Sequence, residues 1–151
     1  MCGINGILQN NNNNISIELD IKKMNNSIYH RGPDDDGIYI SNQNDYNIGM
    51  GMRRLAIIDL NSGKQPISSE DGSITIVFNG EIYNYKELRS ELIEDNIVFK
   101  TMSDTEVILK LYEKHGTTSF SMLDGMFAFS IFDKNINKLF ITRDFFGEKP
   151  L

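Results

Sequence analysis

The chain has 151 residues, enough for one domain with a true core, and its 40% hydrophobic content fits a folded globular protein. Fifteen Lys and Arg stand against 21 Asp and Glu, a formal net charge of −6 without any block of like charge, which argues against a nucleic-acid surface. One cysteine closes no internal disulfide, no apolar run is long enough to cross a membrane, and the start lacks a basic stretch followed by an apolar one, so the chain reads as cytoplasmic with no membrane partner.

Cys2, the single cysteine, follows an initiator Met1 that an aminopeptidase can remove because the next side chain is small. The mature chain then begins with a thiol and a free α-amine on one residue. Their ordinary pKa values, about 8.5 and ~7.7 to 8.0, are close enough for the amine to serve the sulfur as a base. Residues 3–8 read as a strand that fixes Cys2 in space, and the polar run 10–14 as a surface loop. Ser16 is positioned to cap a helix carrying Ile17, Ile21, Met24 and Ile28 at helical spacing, which ends before Gly32-Pro33.

Residues 31–37, RGPDDDG, have loop composition. Strands are expected at 37–40 and 46–52, and the apolar run RLAIIDL (54–60) reads as a buried strand introduced by an arginine. After a loop over 61–71, the β-rich residues 74–78 end at Asn79-Gly80, taken as a turn from strand to helix. Asn84 with Glu87 resembles a capping box for a helix whose face holds Leu88, Leu92 and Ile93. A short strand is expected at 97–100. Ser103 with Glu106 is a capping box opening a helix through Val107, Leu111 and Tyr112 to Gly116, with Asp104 in its first turn. Residues 126–132 and 138–142 form a hairpin whose first strand is apolar on both faces and needs cover on two sides. The economical arrangement is sheets packed together with helices outside.

His30 and His115 are far apart and no second cysteine exists, so no cluster has metal-ligand spacing, and neither GMRR nor SGKQ has the spacing of a phosphate loop. The pairing with independent weight is a terminal Cys2 with Asn79-Gly80: a side-chain amide beside a backbone N–H is what a tetrahedral oxyanion needs, which implies acyl transfer.

These residues resemble the class II glutamine amidotransferases of the N-terminal-nucleophile hydrolase fold, and most closely the glutamine-hydrolysing asparagine synthetases. The resemblance is carried end to end by MCGI, HRGPDDDG, RRLAIIDL, FNGEIYNY, SDTEVIL, DGMFAFSIFD and RDFFGEKPL. It implies an α+β fold, a four-layer αββα sandwich, and one glutamine amidotransferase type 2 domain over 1–151 that is incomplete at its C-terminus and lacks the ATP-dependent synthetase domain. It implies that Cys2 is the nucleophile with its α-amine as base, that Asn79 and Gly80 form the oxyanion hole, and that Arg54 clamps the α-carboxylate of L-glutamine. Glu81 and Asp104 would hold the α-ammonium, and the backbone of Leu55, Ala56, Ile57 and Ile58 would line the pocket. Met52 stands where the family commonly has histidine, and Phe145 where it is usually basic.

By the same resemblance the glutaminase step needs no cofactor and no metal; ATP and Mg belong to the missing synthetase domain. That domain, or a partner supplying it, would use the ammonia to amidate aspartate, and a homodimer is left open. The alternatives are an amidotransferase serving another acceptor, such as a surface-sugar or antibiotic precursor, and a catalytically silent glutamine-binding fragment.

Overall fold

Side-chain alternation along two strands sets the layers. The computed structural model describes residues 2–11, 16–55 and 63–151. In β3 (Tyr46–Arg54), Ile48, Met50 and Met52 point into a core shared with Val77 and Phe132, whereas Gly49 and Gly51 turn the other way. On that other side lies helix α1 (Ile17–Ser27), packed so closely that a Cβ on Gly49 would meet Ile21 at 2.6 Å. β3 is the middle of a three-stranded antiparallel sheet between β1 (Gly3–Asn10) and β2 (Asp35–Asn42).

The second sheet has the order β4 (Ile67–Ser68), β5 (Ile74–Ile82), β6 (Gly125–Asp133), β7 (Lys138–Arg143), antiparallel throughout. Phe127, Phe129 and Ile131 of β6 face a core with α2 (Tyr85–Glu94) and α3 (Asp104–His115), and Phe132 faces the first sheet. Both faces of β6 are therefore covered, as its composition requires. The layers run α1, sheet, sheet, then α2 with α3: the expected αββα sandwich.

Several local expectations hold. Ser16 Oγ accepts the Leu19 N–H, Ser103 Oγ accepts the Glu106 N–H, and α3 stops at Gly116 with φ 60°. Others are corrected. Arg54 closes β3 rather than opening a strand; Leu55 follows it outside any strand, and 56–62 lie outside the described residues, as do 12–15 of the polar run. β2 begins at Asp35, inside the stretch read as loop, because its first residues pair with Arg54 and Arg53. Asn79-Gly80 is no turn: both residues lie inside β5, opposite Ala128 and Phe127. The Asn84 side chain makes no helix cap, since its amide donates to the Met122 carbonyl and accepts the Asp124 N–H, and Ile93 is exposed. Residues 97–100 are not a strand, because the Glu106 carboxylate takes the backbone N–H groups of Lys100 and Thr101 in place of a ladder.

The glycine seam under α1 is a packing requirement. A Cβ on Gly51 would lie 2.5 Å from Asn25 Oδ1 and 2.6 Å from Asn5 Oδ1. Gly51→Val should therefore lower the denaturant midpoint by an amount equivalent to about 1 to 3 kcal/mol of overpacking. An unchanged midpoint would mean that α1 can lift off the sheet freely.

Candidate functional site

The alternation that builds the core also builds the site. Ile4 and Met52 are partners in the β1–β3 register and both face the second sheet, so Cys2 and Arg54, two positions further along, share that face at its open end. Asn79 follows Val77 on the same interior face of β5. The Cys2 thiol sits on the Leu55 backbone, with Sγ accepting from Leu55 N at 3.3 Å and 3.6 Å from Leu55 O.

Two adjacent arginines are sorted to opposite faces. Arg53 stacks its guanidinium 4.5 Å over the Tyr29 ring, donates to the Gly32 carbonyl at 2.9 Å and pairs with Asp36 at 3.5 Å. Arg54 is buried and borders the cleft. The RGPDDDG stretch holds this arrangement: a Cβ on Gly32 would lie 2.5 Å from Arg54 backbone N and C, so only glycine lets the loop lie on the end of β3.

On the facing sheet, Asn79 is 1% exposed, yet neither Nδ2 nor Oδ1 has a hydrogen-bond partner among the described residues. A buried amide without partners is costly, so this one is set for a group that enters the cleft. Backbone N–H groups of a strand alternate sides. Phe78 N–H donates to Gln65 Oε1 at 2.6 Å and Ile82 N–H to Asp104 Oδ2 at 3.2 Å, so the Gly80 N–H between them points the same way, into the cleft. Gly80 has no room for a side chain, since a Cβ would lie 2.2 Å from the Met126 carbonyl oxygen.

Asp104 is 5% exposed, and burial pushes its carboxyl up to about 6, against the lowering effect of backbone hydrogen bonds from Ile82, Thr105 and its own N–H, with Glu81 raising it further. Among the described residues neither Asp104 nor Glu81 has an ion-pair partner. Cys2, Arg54, Leu55, Asn79, Gly80, Glu81 and Asp104 thus border one cleft, while Ala56, Ile57 and Ile58 lie outside the described residues. The cleft combines a thiol, a side-chain amide, a backbone N–H, the Arg54 guanidinium, two carboxylates and the buried side chain of Lys149, a set able to receive a zwitterion beside the sulfur.

The family pattern described as a glutamine amidotransferase domain matches residues 1–151. The chain belongs to the glutamine amidotransferase domain family. It is 48% identical over its whole length to asparagine synthetase [glutamine-hydrolyzing] 1 of Bacillus subtilis, covering 24% of that protein. It is 47% identical over 99% of its length to a putative asparagine synthetase 2 of Methanocaldococcus jannaschii, covering 31% of it. The chain thus spans about a quarter of the Bacillus relative, corresponding to the N-terminal amidotransferase part. Among solved structures, glutamine PRPP amidotransferase from Bacillus subtilis superposes with a TM-score of 0.72 over 93% of this chain and 37% of that one, at 21% identity, which shows the shared αββα sandwich fold.

This amidotransferase domain places further residues at the cleft that sequence reasoning missed: Gln65, Ser103, Thr105, Met126 and Lys149. Gln65 lies in a stretch read as a loop without phosphate-loop spacing. Lys149 is buried, with Nζ 2.9 Å from Met126 Sδ, because Asp144 folds the chain back by accepting the N–H groups of Phe127, Glu148 and Lys149. Arg31 Nε donates to the Cys2 carbonyl at 3.3 Å and so holds the residue that carries the thiol. For Gln65, Thr105 and Lys149 the available signal was a polar residue inside a motif, and nothing local told which way it pointed.

The raised carboxyl of Asp104 has a stability consequence. The folded protein binds a proton there more readily than the unfolded chain, whose value is 3.8, so the cost of burial is absent below pH 3.8, grows as pH rises to about 6, and is full above it. Asp104→Asn should stabilise the fold at pH 7 by up to about 3 kcal/mol, a gain that disappears toward pH 4. Urea denaturation of both proteins across this range measures it.

Proposed function

We propose that this chain is the glutaminase part of a glutamine-hydrolysing asparagine synthetase. The observation that carries the reading is the buried amide of Asn79, without a partner among the described residues, beside the Gly80 N–H, both on the cleft that holds the Cys2 thiol. After removal of Met1, the α-amine of Cys2 takes the thiol proton and the sulfur attacks the side-chain carboxamide carbon of L-glutamine. Asn79 Nδ2–H and Gly80 N–H donate to the oxyanion, each worth on the order of 3 kcal/mol in the transition state. The protonated amine returns its proton to the departing nitrogen, and ammonia leaves a glutamyl thioester. Water, deprotonated by the same amine, then releases glutamate and the free thiol.

Binding follows from charge. Arg54 takes the α-carboxylate with two parallel N–H donors, and Asp104 with Glu81 takes the α-ammonium. The neutral carboxamide is left pointing at the sulfur. The names of the relatives support ammonia use in asparagine synthesis. In this proposal a synthetase part, with ATP and Mg²⁺, amidates aspartate with the ammonia released here, in the cytoplasm.

Kinetics test the roles. Cys2→Ala should abolish glutamine hydrolysis, Asn79→Ala should lower kcat by roughly 100-fold or more, and Arg54→Lys, which keeps the charge and loses the fork, should chiefly raise KM. An unchanged KM in Arg54→Lys removes that residue from the pocket, and an active protein whose intact mass includes Met1 rules out the α-amine as base.

Glutamine binding should also depend on pH. Only ionised Asp104 attracts the ammonium, so KM should rise as pH falls through about 6 and level off above it. Asp104→Asn should remove that inflection, with KM raised above pH 6 and close to the wild-type value well below it.

A further inference from the structure

The glutaminase reading leaves Gln65 without a role, although its side chain bonds both the strand that carries Asn79 and Gly80 and the start of α3. β4 pairs only Ile67 with Ile76 and Ser68 with Thr75. Pro66 has no N–H to continue that ladder, so beyond Ile76 this side of β5 has no partner strand among the described residues. Gln65 fills the first open position with its side chain: Oε1 accepts the Phe78 N–H at 2.6 Å, and Nε2 donates to Thr105 Oγ1 at 3.2 Å. Phe78 directly precedes Asn79, and Thr105 directly follows Asp104, whose carboxylate returns to β5 at Ile82 N. The three hydrogen bonds close a ring around the Gly80 N–H. The Gln65 backbone is itself seated on the first sheet, since a Cβ on Gly37 would lie 2.0 Å from its carbonyl oxygen.

We propose that Gln65 is a positioning residue that couples the oxyanion-binding strand to the ammonium-binding start of α3. Its Oε1 end sets the place of Asn79 and Gly80 along the cleft, and its Nε2 end sets the place of Asp104. The two ends act on different steps. Loss of the Thr105 bond loosens the carboxylate that holds the ground-state ammonium, and this is felt in binding. Loss of the Phe78 bond frees the strand that carries the oxyanion donors, and this is felt in turnover, where misplacement by about 1 Å costs up to 100-fold.

The inference rests on the glutaminase reading, and the test separates the two. In the intact protein, sites are counted by stoichiometric labelling of Cys2 with a diazoketone glutamine analogue, and constants are expressed per labelled site. Thr105→Val removes one bond and should raise KM for glutamine about fivefold with kcat within about twofold of wild type. Gln65→Met keeps the side-chain length, removes both bonds, and should raise KM similarly while lowering kcat about tenfold or more. The double variant should be no worse than Gln65→Met, because the Thr105 bond is already gone. A merely structural glutamine would reduce the number of labelled sites and the melting temperature with both constants unchanged per site, and that result overturns the assignment. Should Gln65→Met fail to fold, an unchanged KM in Thr105→Val overturns it equally. Wild-type protein that neither labels at Cys2 nor hydrolyses glutamine overturns the glutaminase reading itself.

Discussion

A strand that outruns its neighbour is the constraint on which the site depends. β5 continues six residues past Ile76 to Ile82, while β4 ends its pairing at Ile67, behind a proline. The N–H groups of Phe78, Gly80 and Ile82 are left on one side without a ladder, and buried backbone donors must find acceptors. Gln65 takes the first and Asp104 the last. The middle one is directed at the cleft, next to an Asn79 amide whose alternation turns it toward the other sheet. Under the proposed reaction, the donor pair for an oxyanion is therefore a by-product of strand lengths, stiffened by the β6 backbone packed against Gly80.

Electrostatics make this arrangement costly. Asp104 is buried at the start of α3, where the helix dipole and backbone donors favour its charge but burial outweighs them. Arg54 is buried at the end of β3 in the same cleft. Under the proposed reaction, a zwitterion with an uncharged amide tail brings an ammonium to the acids and a carboxylate to the guanidinium. The same separation selects against ligands of net charge.

The fold likeness and the family membership carry different weights. Glutamine PRPP amidotransferase shares the sandwich at 21% identity, which speaks to the layers and strand order alone. The relatives at 47 and 48% identity speak to the family, and they are longer than this chain. What this chain adds is local. Met52 and the glycine seam of β3 put apolar packing on one side and α1 on the other, and Arg53 and Arg54 then diverge without any difference in residue type.

Much of this was legible in the sequence because it depends on short-range chemistry. Ser16 and Ser103 cap helices through bonds three residues long, the apolar faces of residues 126–132 demand two covered sides, and the motif order MCGI to GEKPL marks the family. What failed locally failed for one reason: pairing partners distant in sequence override local preference. Asn79-Gly80 has turn composition but is held straight by β6, Arg54 begins an apolar run but is claimed by β2, and residues 97–100 lose their strand to a carboxylate on α3. Residue types determined which side chains could serve as nucleophile, clamp and donor. Only the facing of two sheets decided that Cys2, Arg54 and Asn79 share one cleft and that Gln65 reaches both of its halves, because a side chain's direction follows strand register, and register is fixed by partners elsewhere in the chain.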